Sequence, residues 1–134
     1  MCLAKYKKYE PYAPLVLRLF AGIVFIFAGW GKLNGGVNGF SQMLSFLPEP
    51  MFWAWLVTLV EFIGGILLIL GLFVRWACIP LGITMIVATI MLLQSQGFGG
   101  AIAPFWGIAI CKVLFYTGAG KYLNLEKKWL GREY

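Results

Sequence analysis

Histidine and aspartate are absent from this chain of 134 residues, and charged residues of all kinds make up only 12% of it. Without imidazole there is no histidine-ligated haem, no ordinary zinc site and no Ser-His-Asp arrangement. Soluble domains carry about twice as much charge, so the composition argues for a membrane protein. The three cysteines, Cys2, Cys78 and Cys111, lie far apart and form no Cys-x-x-Cys pair. Neither a thioredoxin-type dithiol nor a disulfide framework is therefore expected. Cys78 and Cys111 read as small apolar fillers inside helices, with a long-range pair as the lesser alternative. No metal and no covalently bound cofactor is expected.

What the chain does have is apolar length: 61% of its residues are hydrophobic, and they fall into four runs. The run from Met51 to Arg75, MFWAWLVTLVEFIGGILLILGLFVR, is long enough at about 1.5 Å per residue to cross a hydrocarbon layer of about 30 Å. Spans are predicted over about 14–33, 51–74, 76–95 and 101–118. The fold class is thus all-α, an integral membrane four-helix bundle forming one domain over 1–134. Between the first two spans, NGGVNG is a turn-rich opening. Phe40, Met43, Leu44 and Leu47 then repeat at helical spacing, with Ser41, Gln42 and Ser45 opposite. A short amphipathic segment in the first external loop follows, closed by Pro48 and Pro50. A tight turn is placed at Arg75, a GFGG turn follows Gln96, and the tail sets Tyr122, Leu125 and Trp129 along one side.

The net charge of +6 does not point to nucleic acid, because the basic residues sit at the ends of the apolar runs. Lys5, Lys7, Lys8, Arg75, Lys121, Lys127, Lys128 and Arg132 gather on one side of a four-span protein, and Lys32 alone lies on the other. Both termini are expected to be cytoplasmic, in a multi-pass protein of the cell's inner (plasma) membrane. Trp30, Trp53, Trp55, Trp76, Trp106 and Trp129 fall near predicted helix ends or in the tail, as an interfacial belt requires. The lipid bilayer is the first partner, and association of copies of the chain with one another is compatible with the pattern.

Three ionisable groups fall inside the predicted bilayer region: Arg18, Glu61 and Lys112. A charge at mid-bilayer costs about 3 kcal/mol or more, so Glu61 should face protein or water rather than lipid. In the first span Arg18, Ala21, Gly22, Phe25, Gly29 and Lys32 share a helical face; in the second, Thr58, Glu61, Gly64, Gly65, Leu68 and Leu72 do, with Arg75 at the end. Fourteen residues separate Arg18 from Lys32, and fourteen separate Glu61 from Arg75. Both charged faces are rich in small residues, so these two helices should pack on each other. Arg18 and Lys112 are the expected partners of Glu61, reaching it by the length of their side chains. Three readings stand: a structural salt bridge, a polar pocket for the head group of a lipid-soluble ligand such as a quinone, or a proton-coupled pathway. In the second, Glu61 is the proton-exchanging carboxylate and Arg18 or Lys112 orients an oxygen. Tyr116 and Cys111 flank Lys112 and read as core.

The segments LRLFAGIVFIFAGWGKL, EFIGGILLILGLFVR and GAGKYLNLE resemble the DoxX family of small four-helix membrane proteins, related to the DoxD subunit of thiosulfate:quinone oxidoreductase. By that resemblance Arg18, Gly29, Lys32, Glu61, Gly64, Gly65, Gly71 and Arg75 occupy signature positions. It implies membrane-embedded redox work beside partner subunits, linked to sulfur compounds, oxidative stress or the quinone pool. With neither histidine nor a dithiol motif, electron transfer would need a bound quinone or a cofactor-bearing partner. The expected function is a membrane anchor or quinone-facing subunit of an oxidoreductase. The alternatives are a small proton-coupled transporter, whose cationic substrate Arg18 and Lys112 would repel, and a structural or assembly subunit without chemistry of its own.

Overall fold

The computed structural model describes residues 12–118. Cys2, the lysines expected at 5, 7 and 8, and the tail with Lys121, Tyr122, Leu125, Lys127, Lys128, Trp129 and Arg132 lie outside the described residues. Five helices follow in order: α1 (Ala13–Gly35), α2 (Val37–Met43), α3 (Pro50–Leu70), α4 (Val74–Gln96) and α5 (Phe98–Thr117). Four of them, α1, α3, α4 and α5, are long and apolar enough to cross a membrane. Their outward faces carry large apolar side chains such as Phe20, Phe27, Ile63, Trp76, Ile83 and Phe105. A soluble protein could not present so much apolar surface to water, whereas acyl chains accept it.

The helix ends show how local chemistry corrects a reading from hydropathy. The second span does not run to 74. Gly71 adopts the left-handed conformation at φ 69, and the Gly71 and Leu72 N–H groups donate back to the carbonyls of Leu68 and Leu67. That is a Schellman stop, which a residue without Cβ makes at little cost. The turn therefore occupies Gly71–Phe73, and Arg75, expected within it, stands in the first turn of α4. Likewise GFGG is not a turn: Gly97 alone separates α4 from α5, and Phe98, Gly99 and Gly100 open the last helix. Trp106 consequently lies well inside α5 rather than at an end.

The register of the bundle follows from its closest approaches. Gly22 meets Gly65 and Ile69, and Gly29 meets Phe62, so α1 and α3 run antiparallel. Gly82 meets Cys111 and Gly107 meets Met85, so α4 and α5 do the same. Gly64 meets Leu81, joining α3 to α4. The adjacent glycines 64 and 65 thus serve different neighbours, one facing α4 and the other α1. The main core is built of Ala21, Phe25, Leu68, Val74, Cys78, Leu81, Met85, Cys111 and Leu114.

A second cluster, Val37, Leu44, Ala54 and Met91, closes one end under α2. The amphipathic segment expected there is present as α2 and the turn after it. Its inward face is Val37, Phe40, Leu44 and Leu47, while Met43, expected on that face, points outward.

Candidate functional site

At Gly29 the backbone of α1 comes so close to α3 that an added Cβ would lie 3.0 Å from the Phe62 nitrogen. One turn further along α1 is Lys32, and the residue before Phe62 is Glu61. Helical side chains lean toward the N-terminus of their own helix. In this antiparallel pair, Lys32 leans inward from the end of α1 and Glu61 leans outward from the middle of α3, so the two converge. The Lys32 ammonium donates to both Oε1 and Oε2 of Glu61, each at 2.6 Å. The Glu61 side chain is 2% exposed and the Lys32 side chain 24%. Phe40 of α2 completes the group, its ring centroid 4.6 Å from Lys32 Nζ.

This arrangement corrects the expected partners of Glu61. Arg18 is fully buried, as its face of α1 requires, but it lies about 21 Å along the helix from Lys32. With Gly22 against Ile69, Arg18 stands level with the Gly71–Phe73 turn. It also leans away from Glu61 rather than toward it. Arg75, half-buried at the start of α4, lies at that same end. Lys112 is exposed: Cys111 and Leu114 take the core-facing positions of α5, which turns residue 112 outward. Tyr116, read as core, is 70% exposed as well.

Lys32, counted in the sequence as a charge flanking the membrane, is the partner that was missed. The signal for it was available. Lys32 shares the small-residue face of α1 with Gly29 and Arg18, and that face packs antiparallel on the face of α3 that carries Glu61.

The chemistry such a pair can do follows from its burial. Removing one member of a buried pair leaves a charge without compensation, at a cost of about 3–5 kcal/mol. The aromatic face of Phe40 adds about 0.5–2 kcal/mol to the hold on the ammonium. Thr58, one turn before Glu61, is also fully buried, but its hydroxyl donates to the Ala54 carbonyl at 2.7 Å and makes no further demand. Glu61 is therefore a buried carboxylate within a helix able to span a membrane, bonded among the described residues to one cation that is itself only partly buried.

On the seam between α3 and α4 runs an apolar groove of about 340 Å³ lined by Leu44, Leu47, Val57, Val60, Pro80 and Val87 among others. A continuation of about 290 Å³ reaches Leu67 and Ala77. Among the described residues, no group of three or more histidine, cysteine, aspartate or glutamate side chains is placed to hold a metal.

Comparison with known proteins places these features in context. The DoxX family model matches residues 13–94, which include the Lys32–Glu61 pair. The inner membrane protein YqjF of Escherichia coli is 39% identical over 92% of this chain and 99% of its own length. The CatD protein of Bacillus subtilis, whose name assigns it provisionally to the oxidoreductases, is 33% identical over 84% of this chain and 83% of its own. A Mycobacterium tuberculosis membrane protein, Rv3486, is 35% identical over 74% of this chain and 64% of its own. No solved structure gives a significant match.

Proposed function

We propose that this chain, which belongs to the DoxX family, is the membrane anchor or quinone-facing subunit of an oxidoreductase system, working on sulfur compounds or in the response to oxidative stress. One observation carries the reading. A carboxylate buried within a helix able to span a membrane is held by a lysine that is only partly buried. In this role Lys32 donates to a quinone oxygen, and Glu61 exchanges the proton that accompanies reduction. The quinone supplies the two-electron chemistry, and a partner subunit with a cofactor of its own supplies the electrons.

The chain's residues fit a quinone in two respects: Lys32 offers a donor, and the α3–α4 groove offers an apolar track for an isoprenoid chain. The name of the CatD relative supports the redox assignment. The name of YqjF supports the inner membrane. Both termini are cytoplasmic in this reading, because the basic residues of the sequence gather at that end.

Saturable binding of decylubiquinone to the purified chain in lipid nanodiscs tests the role. Glu61→Gln is expected to weaken it at least about tenfold, or about 1.4 kcal/mol, and Lys32→Arg to retain it. Binding that does not saturate, or that Glu61→Gln leaves intact, removes the pocket.

A second reading has its own observation. Both carboxylate oxygens are bonded to one ammonium beside a backbone contact at Gly29, which is how a brace between two helices would be built. Loss of thermal stability in Glu61→Gln, with quinone binding unchanged or absent, selects this structural role.

A further inference from the structure

Cys78 and Cys111 are separated by 32 residues in the chain, yet the α4–α5 hairpin brings them to one place. Cys111 has its Cβ 3.9 Å from the position a Cβ would take on Gly82, one turn from Cys78 on the same face of α4. The two side chains therefore lie within about one helical turn of each other across the α4–α5 seam. Each residue is 3% exposed, both are free thiols, and both belong to the main core cluster. The long-range pair kept as the lesser alternative is thus brought together by a helix hairpin and not by a local motif, while the Cys-x-x-Cys arrangement remains absent.

Both cysteines are buried in one cluster with Leu81, Met85 and Leu114. Ala77, beside Cys78 in sequence, lines the α3–α4 groove together with Pro80. That groove faces the region lipid-soluble molecules occupy.

We propose that Cys78 and Cys111 are a membrane-embedded two-electron centre, oxidised to an interhelical disulfide by a quinone. In the net step both S–H bonds break and one Sγ–Sγ bond forms. The two electrons and two protons pass to the quinone, which leaves as hydroquinone. The centre lies apart from Lys32 and Glu61. It rests on the quinone-linked reading only for the identity of the oxidant. Two thiols delivered in turn by a partner regenerate the dithiol: the first opens the bond as a mixed disulfide, the second releases the remaining cysteine and leaves bonded to the first, and their two protons pass to the cysteines, which gives the chain a redox couple of its own.

The experiment uses the full chain carrying Cys2→Ser, reduced and reconstituted in nanodiscs without oxygen, with decylubiquinone as the probe. Its fully substituted ring leaves no open position for thiol addition. After incubation the protein is denatured, alkylated with a maleimide and weighed intact. The expected result is a shift from two adducts to none, a mass about 2 Da below the reduced chain, and one hydroquinone formed per chain. Cys78→Ser and Cys111→Ser should each retain one adduct and form no hydroquinone.

Thiols that stay alkylatable after both decylubiquinone and diamide overturn the proposal, because the pair then cannot close. A disulfide formed with diamide but not with the quinone overturns it too, while leaving the Lys32–Glu61 reading to its own binding test. Disulfide-linked dimers in place of the internal bond are equally fatal to it.

Discussion

The bundle is two helix pairs joined along thinner seams, and the pairs hold together by different means. In α1–α3, glycines at 22, 29 and 65 let backbone meet backbone, and one ion pair fixes the register. In α4–α5, side chains fill the gap instead: Leu81, Met85, Cys78, Cys111 and Leu114 interlock, Pro80 and Pro104 sit within the helices, and the Thr84 and Thr89 hydroxyls are satisfied by carbonyls of their own helix. Water supplies no driving force between helices inside a bilayer, so each pair must find its stability in packing or in polar contacts. The first pair uses both means and the second relies on packing. Sensitivity to substitution should therefore be sharp and local in α1–α3 and diffuse in α4–α5.

The largest effect expected is at the ion pair. Lys32→Met leaves Glu61 buried without a cation and should cost about 3–5 kcal/mol, read as reversible unfolding in detergent. Lys32→Met combined with Glu61→Leu should recover most of that loss, because no charge is then stranded. A double variant no better than the single would show that the pair supplies more than neutralisation.

Next comes the glycine contact. A Cβ on Gly65 would fall 2.8 Å from the Gly22 carbonyl oxygen and 2.9 Å from the Ile26 nitrogen, both backbone atoms that cannot turn aside. Gly65→Ala should cost about 1–3 kcal/mol. Its counterpart in the other pair, Gly82→Ala, meets nothing nearer than the Cys111 Cβ at 3.9 Å and should stay within about 0.5 kcal/mol of the parent. Similar losses at the two positions would erase the distinction between the pairs. The smallest effect is at Phe40: Phe40→Leu removes the ring from Lys32 and should cost about 0.5–1 kcal/mol, with quinone oxidation of the α4–α5 thiols unchanged.

The same contrast explains what could be read from the sequence. Glu61 announces itself because a carboxylate in an apolar run must be met by something, and the small residues around it name α1 as the neighbour. The partner was misassigned because depth was judged from distance along the chain, without the opposite lean of side chains on antiparallel helices. That lean brings Lys32 in and carries Arg18 away. In α4 and α5 apolar residues occupy every face, so no stripe distinguishes core from lipid. Lys112 could not be turned outward, nor Cys78 set beside Cys111, until the hairpin itself was in hand. Gly71 belongs to the legible part only in hindsight, since a glycine within an apolar run can mark close packing or a helix stop. Its left-handed φ decides for the stop.

The lysine–glutamate contact also has an electrical meaning. While both members are charged they sum to zero, and a voltage across the bilayer exerts almost no net force on them. Glu61→Gln changes this, since the ammonium left behind feels its share of a field worth about 2.3 kcal/mol per unit charge for each 100 mV across the full thickness. An energised membrane would thus act on the unbalanced charge of that variant while leaving the neutral pair almost untouched.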